Sequence, residues 1–157
     1  MNRQSIFENG DTVLNLRTIF RQLHKNRLHG TVMENSSLLS ENLLDYLDSC
    51  LDRFVLRDRL FLNPDISIPF LADKIHTNRT YISLAIHDLY GVKFSEFVSF
   101  LRIEYSKKLL KIFKLDLEHV ASACGYMYAS QFTKKFTEVE GMNPSTWRHF
   151  VAQSTEK

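Results

Sequence analysis

The strongest constraint on this chain is a pattern that occurs twice. In the first half, Leu71-Ala72 is followed by Ile75-His76, then by Ile82, Leu89 and Gly91. In the second, Val120-Ala121 is followed by Cys124-Gly125, then by Phe132, Phe136 and Gly141. Each copy reads as a short helix carrying an Ala, a turn of three or four residues, and a longer helix, which is the grammar of a helix-turn-helix. Ala72 and Ala121 fall where the two helices cross, and a larger side chain there would hold them apart. Between the copies, Phe94, Phe97, Val98, Leu101, Tyr105, Leu109 and Ile112 recur at helical spacing and predict one amphipathic helix over about 94–113. A helix of that length is a rod of roughly 30 Å. One turn of B-DNA is about 34–36 Å, so two groove-reading units on such a rod are expected to reach adjacent major grooves on one face of a duplex.

Composition agrees with a helical chain. Five Gly and three Pro in 157 residues are too few to punctuate a β-sandwich or barrel. Apolar residues at 44% and charged residues at 24% fit a soluble globular protein, and twelve Phe, six Tyr and one Trp supply its core. The length suits one ordinary domain or two very small ones. Cys50 and Cys124 are too few for a disulfide framework, and the six histidines show no paired helical spacing, so no metal and no cofactor are expected. No apolar run approaches the roughly 18 residues of a membrane span, and the opening Met-Asn-Arg-Gln-Ser lacks the apolar stretch of a signal peptide. The expected setting is a reducing cytoplasm, with a longer parent protein still open to a membrane anchor. Walker, dinucleotide, His-Glu-x-x-His and nucleophile-elbow motifs are all missing, so no enzyme activity is expected.

The expected fold is all-α: a seven-helix tandem helix-turn-helix domain with a long central linker helix and a short N-terminal helical extension. Residues 1–40 read as that extension or a linker, with loose helical spacing from Val13 to Leu23 and a connector from Gly30 to Ser40. Residues 41–152 form the domain, with the first helix-turn-helix at about 68–90 and the second at about 117–139. Ser40, Ser67, Asn78, Asp116 and Asn143 stand where N-caps are needed. Pro69 and Pro144 suit first helical turns, Asn63-Pro64-Asp65 ends the first helix, and Gly91, Gly125 and Gly141 end later ones. Trp147 and Phe150 are expected to pack the last helix onto its neighbours.

Residues from about Leu43 to Phe150 resemble the DNA-binding domain of the AraC/XylS family of bacterial transcription regulators. The second half carries Gly125-Tyr126, Ser130, Phe132, Phe136, Gly141, Pro144 and Arg148 at the family's spacing. The first half carries Leu71-Ala72, Tyr81-Ile82-Ser83, Gly91, Phe94 and Arg102-Ile103. His76, Leu84, Tyr128 and Thr137 depart from the family pattern, which favours a turn Gly, a basic residue, a small cap and a Lys at these places. The resemblance implies seven helices and binding to promoter DNA, most often for activation through contact with RNA polymerase.

In a helix-turn-helix the N-terminal part of the second helix meets base edges. This selects Ala129, Ser130, Gln131 and Lys134 in the second unit, and Arg79, Thr80 and Ser83 in the first. Gln131 leads, because its amide can pair bidentately with adenine, while Lys134 can donate to guanine or phosphate. Arg79 suits a base or a phosphate equally. Phosphate positioning falls to Thr77, Asn78, Lys135, Asn143 and Ser145, with helix capping the stronger role for Asn78 and Asn143. Arg102 is expected to be a structural ion-pair partner, and Tyr81, Phe132, Phe136 and Trp147 core residues. Net charge is only +2, but Arg102, Lys107, Lys108, Lys111 and Lys114 face Glu104 alone over one stretch, which reads as a solvated face or a polyanion-binding stripe.

The expected function is a sequence-specific double-stranded DNA-binding regulator, an activator at promoters, with RNA polymerase and a fused or separate sensor domain as partners. The alternative is a helical protein-interaction module that keeps the fold without binding DNA, which the weak net charge and the apolar Leu84 and Ala85 would suit.

Overall fold

The computed structural model describes residues 38–112 and 115–155. The expected N-terminal extension lies outside these residues except for its last three. Among the described residues seven α-helices follow one another: α1 (Glu41–Cys50), α2 (Ile68–Ile75), α3 (Arg79–Tyr90), α4 (Phe94–Leu110), α5 (Leu117–Ala123), α6 (Ala129–Glu140) and α7 (Pro144–Thr155). No strand occurs among the described residues. The fold is all-α.

Four of the described helices, α1, α3, α5 and α7, start where a short polar side chain can satisfy the free amides of the first turn. Ser40 Oγ accepts from Leu43 N–H at 3.4 Å, Asn78 Oδ1 from Tyr81 N–H at 2.8 Å, and Asp116 Oδ1 from His119 N–H at 2.8 Å. The bond from His119 N–H and the nearby His119 ring hold the Asp116 carboxyl below its ordinary range. Gly91 and Gly141 close α3 and α6 in the left-handed region, with φ of 67° and 73°.

The chain divides into two compact units. The first contains the described residues up to Asp58 and Ile68–Phe94. Its buried side chains include Leu47, Leu51, Val55, Leu56, Leu71, Ile75, Ile82, Ile86 and Tyr90. Here α1 does not run on to Asn63-Pro64 as one helix. It passes into a π-helical stretch, Leu51–Arg57, closed by a bond from Asp58 N–H to Arg53 O at 2.9 Å. The wider turn places Leu51, Val55 and Leu56 together in the buried set, a register that simple 3.6-residue periodicity does not anticipate.

The second unit contains Arg59–Ser67 and the residues from Ser95 onward. Arg59 is left-handed (φ 56°) and leads into a 3-10 turn at Leu60–Leu62. Arg102 holds this segment, donating from Nε to Phe61 O at 2.7 Å and from its guanidinium to Asn63 O at 2.8 Å. Its role is structural, but its partners are carbonyl oxygens where an ion pair was expected. Arg148 acts alike at α7, donating to Leu110 O at 3.0 Å and Leu115 O at 2.7 Å. Phe132 and Phe136 are fully buried. A run of ring contacts links Tyr126, Phe132, Phe136 and Trp147 at 5.6–6.0 Å, in tilted and edge-to-face geometries that aromatic quadrupoles favour.

Two expectations need correction here. Helix α4 ends at Leu110 and has 17 residues, about 26 Å at 1.5 Å per residue. It is also not one-sided: Ile103, Ser106 and Leu110 are as deeply buried as Phe97 and Leu101, so the apolar stripe was only part of its buried surface. Phe150 does not pack its helix; it is 61% exposed. Trp147, three positions earlier on α7, makes that contact instead.

Candidate nucleic-acid interface

Both helix-turn-helix units close their turns with the same two backbone bonds. In the first, His76 N–H donates to Asp73 O and Thr77 N–H to Ala72 O; in the second, Gly125 N–H donates to Ser122 O and Tyr126 N–H to Ala121 O. This is the Schellman arrangement, which needs a left-handed residue just past the helix. Gly125 supplies it at φ 82° and His76 at φ 57°. The repeat is therefore a repeat of backbone geometry. Ala72 and Ala121, whose carbonyls receive the longer bond, are both buried.

Each turn delivers a helix whose leading edge faces solvent. In α3, Arg79, Thr80 and Ser83 are exposed. In α6, Ser130, Gln131 and Lys134 are exposed and Ala129 is half-buried. Buried Ile82, Ala85 and Ile86 hold the opposite face of α3, and Phe132 and Phe136 that of α6. Ser130, Gln131 and Lys134 thus fall on one edge of α6, with Ala129 to its side, and Arg79, Thr80 and Ser83 fall on one edge of α3. The two edges differ in chemistry. Gln131 and Lys134 bring an amide and an ammonium to α6, while the matching places in α3 are Tyr81 and the half-buried Leu84.

The phosphate candidates are more occupied. Thr77 is half-buried, and Asn78 is exposed with its side-chain oxygen engaged as the α3 cap. Asn143 Oδ1 accepts from Thr146 N–H at 2.9 Å and caps α7, where Ser145 is exposed. Lys135 pairs with Glu138 at 2.7 Å, and that ammonium holds the Glu138 carboxyl below its usual range. The basic stretch of α4 does not form a free stripe. Arg102 is committed to carbonyls, and burial lowers its pKa. Burial opposes the charge on Lys107, but Glu104 at 2.6 Å and Glu140 at 2.9 Å outweigh it and raise its pKa. Lys114 lies outside the described residues.

Burial pushes the Cys124 thiol and the Tyr126 hydroxyl up to about 12, so neither ionises near neutrality. Among the described residues no cluster of His, Cys, Asp or Glu could hold a metal ion, and no helix is long and apolar enough to cross a membrane.

Three exposed side chains escaped the sequence reading. Tyr81, assigned to the core, is 39% exposed. The 50-residue offset that pairs Ile82 with Phe132 also pairs Tyr81 with Gln131, and that signal was present in the sequence. Met127 and Tyr128, just ahead of α6, are 70% and 61% exposed.

Residues 71–149, about half of the chain, match the family described as helix-turn-helix domain. The chain is similar to the HTH-type transcriptional regulator YijO of Escherichia coli (strain K12), at 28% identity over 127 residues, covering 78% of this chain and 40% of that protein. It is similar to the HTH-type transcriptional activator RhaR of the same strain, at 22% identity over 106 residues, covering 68% of this chain and 38% of that protein. The chain therefore spans about two-fifths of the length of these curated relatives. In fold it matches the DNA-binding domain of the transcriptional factor AdpA, solved in complex with a target DNA, with a TM-score of 0.59 at 16% identity, covering 75% of this chain and 99% of that one. The paired turns, the outward-facing edges of α3 and α6, and the family match over both units together place the chain in the AraC-type helix-turn-helix family of DNA-binding transcription regulators.

Proposed function

We propose that this chain reads double-stranded promoter DNA in a sequence-specific manner, with α6 as its principal base-reading helix. The observation that carries this is the edge of Ser130, Gln131 and Lys134, turned to solvent on a helix whose other face is fixed by two buried phenylalanines. Gln131 would pair with adenine, and Lys134 with guanine or phosphate. Ala129 is small enough to let the backbone approach a base edge. In the first unit, Arg79, Thr80 and Ser83 would contact bases with a thinner hydrogen-bonding inventory, and Arg79 serves a phosphate equally well. Thr77, Asn78, Lys135, Asn143 and Ser145 would fix register on the sugar–phosphate backbone, the two asparagines through the amide groups left over from capping.

Transcription activation through contact with RNA polymerase is the output that family resemblance supports, and RhaR is named as an activator. The relatives extend well beyond the matched stretch, which supports a fused or partner sensor domain as the input. A titration against random duplex at low and high salt tests the reading. Binding should weaken linearly in log salt, and Lys134→Ala should reduce the slope by about 0.9. A chain that shows no salt-sensitive binding to duplex would instead be a helical protein-interaction module.

A further inference from the structure

Two large apolar side chains stand in solvent directly ahead of α6: Met127, 70% exposed, and Tyr128, 61% exposed. Tyr128 is the N-cap of that helix, in an extended conformation at φ −133° and ψ 139°, and its side chain makes no capping bond. The matching residue of the first unit, Asn78, does cap α3. A rigid ring with its hydroxyl at the far end does not fold back onto the first-turn amides, so this position lacks a stabilisation that a short polar residue would provide. Nor does core packing account for the residue, since most of the ring faces water. The ring contacts of this unit run instead through Tyr126, Phe132, Phe136 and Trp147.

The pair is continuous in sequence with Ala129, Ser130 and Gln131. A base-reading α6 would bring it to the rim of the major groove. What a thioether and an aromatic ring can recognise there is limited. Each base pair presents hydrogen-bonding groups that an apolar surface would strand, with one exception: thymine carries a 5-methyl group. Covering that methyl removes apolar surface from water on both partners, while the Tyr128 hydroxyl at the far end of the ring can stay in water or donate to a phosphate.

We propose that Met127 and Tyr128 form a second, apolar part of the DNA contact, seated on the methyl group of a thymine beside the base read by Gln131. The proposal rests on the reading of α6 as the base-reading helix. It gives Tyr128 a reason to stand where a cap belongs: helix stability is given up for sequence preference.

The experiment first selects a preferred duplex for the full chain from a random pool. Each thymine is then replaced singly by deoxyuridine, which keeps the hydrogen-bonding edge and lacks the methyl. At one position flanking the Gln131 contact, the native chain should lose about four-fold in affinity, the effect of one buried methyl-sized group. Tyr128→Asn combined with Met127→Ala should bind the thymine duplex more weakly and lose all sensitivity to deoxyuridine. Tyr128→Asn alone, by restoring a cap, should raise Tm by about 4 °C. If no thymine of the selected duplex is sensitive in the native chain while Gln131→Ala still weakens binding, the apolar contact is overturned and the reading of α6 stands. The same holds if the double variant keeps the full deoxyuridine effect. If no duplex can be selected at all, the reading of α6 falls and the apolar contact falls with it.

Discussion

In the first unit the left-handed turn residue is His76, which is exposed; in the second it is Gly125, buried, with Leu62 O only 2.6 Å from where a Cβ would stand. The helices behind these turns differ in the same sense. Ile82 and Ile86 anchor α3, whereas Phe132 and Phe136 anchor α6 and continue into Tyr126 and Trp147. The unit whose turn is closely enclosed and whose recognition helix rests on linked aromatic rings is also the one that presents Gln131 and Lys134. That pairing has a physical reason. Bidentate base recognition tolerates displacements of only about half an ångström, so a helix that reads bases gains from a fixed support. A helix with a thinner hydrogen-bonding inventory, such as α3, has less to gain from it.

Matched substitutions in the two units test this difference. Phe136→Ala should destabilise the chain by about 4 kcal/mol, against about 3 kcal/mol for Ile86→Ala, its counterpart in the first unit. Chemical denaturation checks the order, and equal losses would remove the difference in support. Gly125→Ala should cost about 3 kcal/mol, because the new Cβ meets backbone and the conformation is strained for any L side chain. His76→Gly should do the opposite and stabilise by about 0.5–1 kcal/mol, by relieving left-handed strain at an exposed site. Between these lies Asn78→Ala, expected to cost about 1 kcal/mol through the lost α3 cap. An acid titration gives the smallest effect. The Asp116 carboxyl has a lowered pKa, so the stability it contributes to the start of α5 is present above its ordinary pKa and fades as pH falls through the lowered value. Asp116→Asn should flatten that part of the pH profile.

Much of this architecture was legible because short polar residues and glycines act locally. Asn78, Asp116 and Asn143 cap the helices their positions announced, and Gly91 and Gly141 end theirs. Three features were not legible. The π-helical stretch Leu51–Arg57 and the left-handed Arg59 are answers to packing, and no local signal calls for them. The positive charges from Arg102 onward read as a solvated face or a polyanion-binding stripe, yet Arg102 donates to carbonyls remote in sequence and Lys107 is shared between neighbouring Glu104 and remote Glu140. Tyr81 and Phe150 look like core residues by type; the offset to Gln131 marks Tyr81 as outward, but only three-dimensional placement shows Phe150 in solvent. The exposure of Ser130, Gln131 and Lys134, by contrast, agrees with the expectation that the N-terminal part of the second helix of a helix-turn-helix faces outward.

Competition binding measures the central claim most directly: the full chain on its selected duplex against random duplex of equal length, native and Gln131→Ala side by side at one salt concentration. The native chain should prefer the selected duplex by about 10³-fold or more. Gln131→Ala should lose roughly 5- to 150-fold on the selected duplex, equivalent to about 1–3 kcal/mol, with little change on random DNA. Equal affinity of the native chain for both duplexes, or an equal loss on both in the variant, would contradict it.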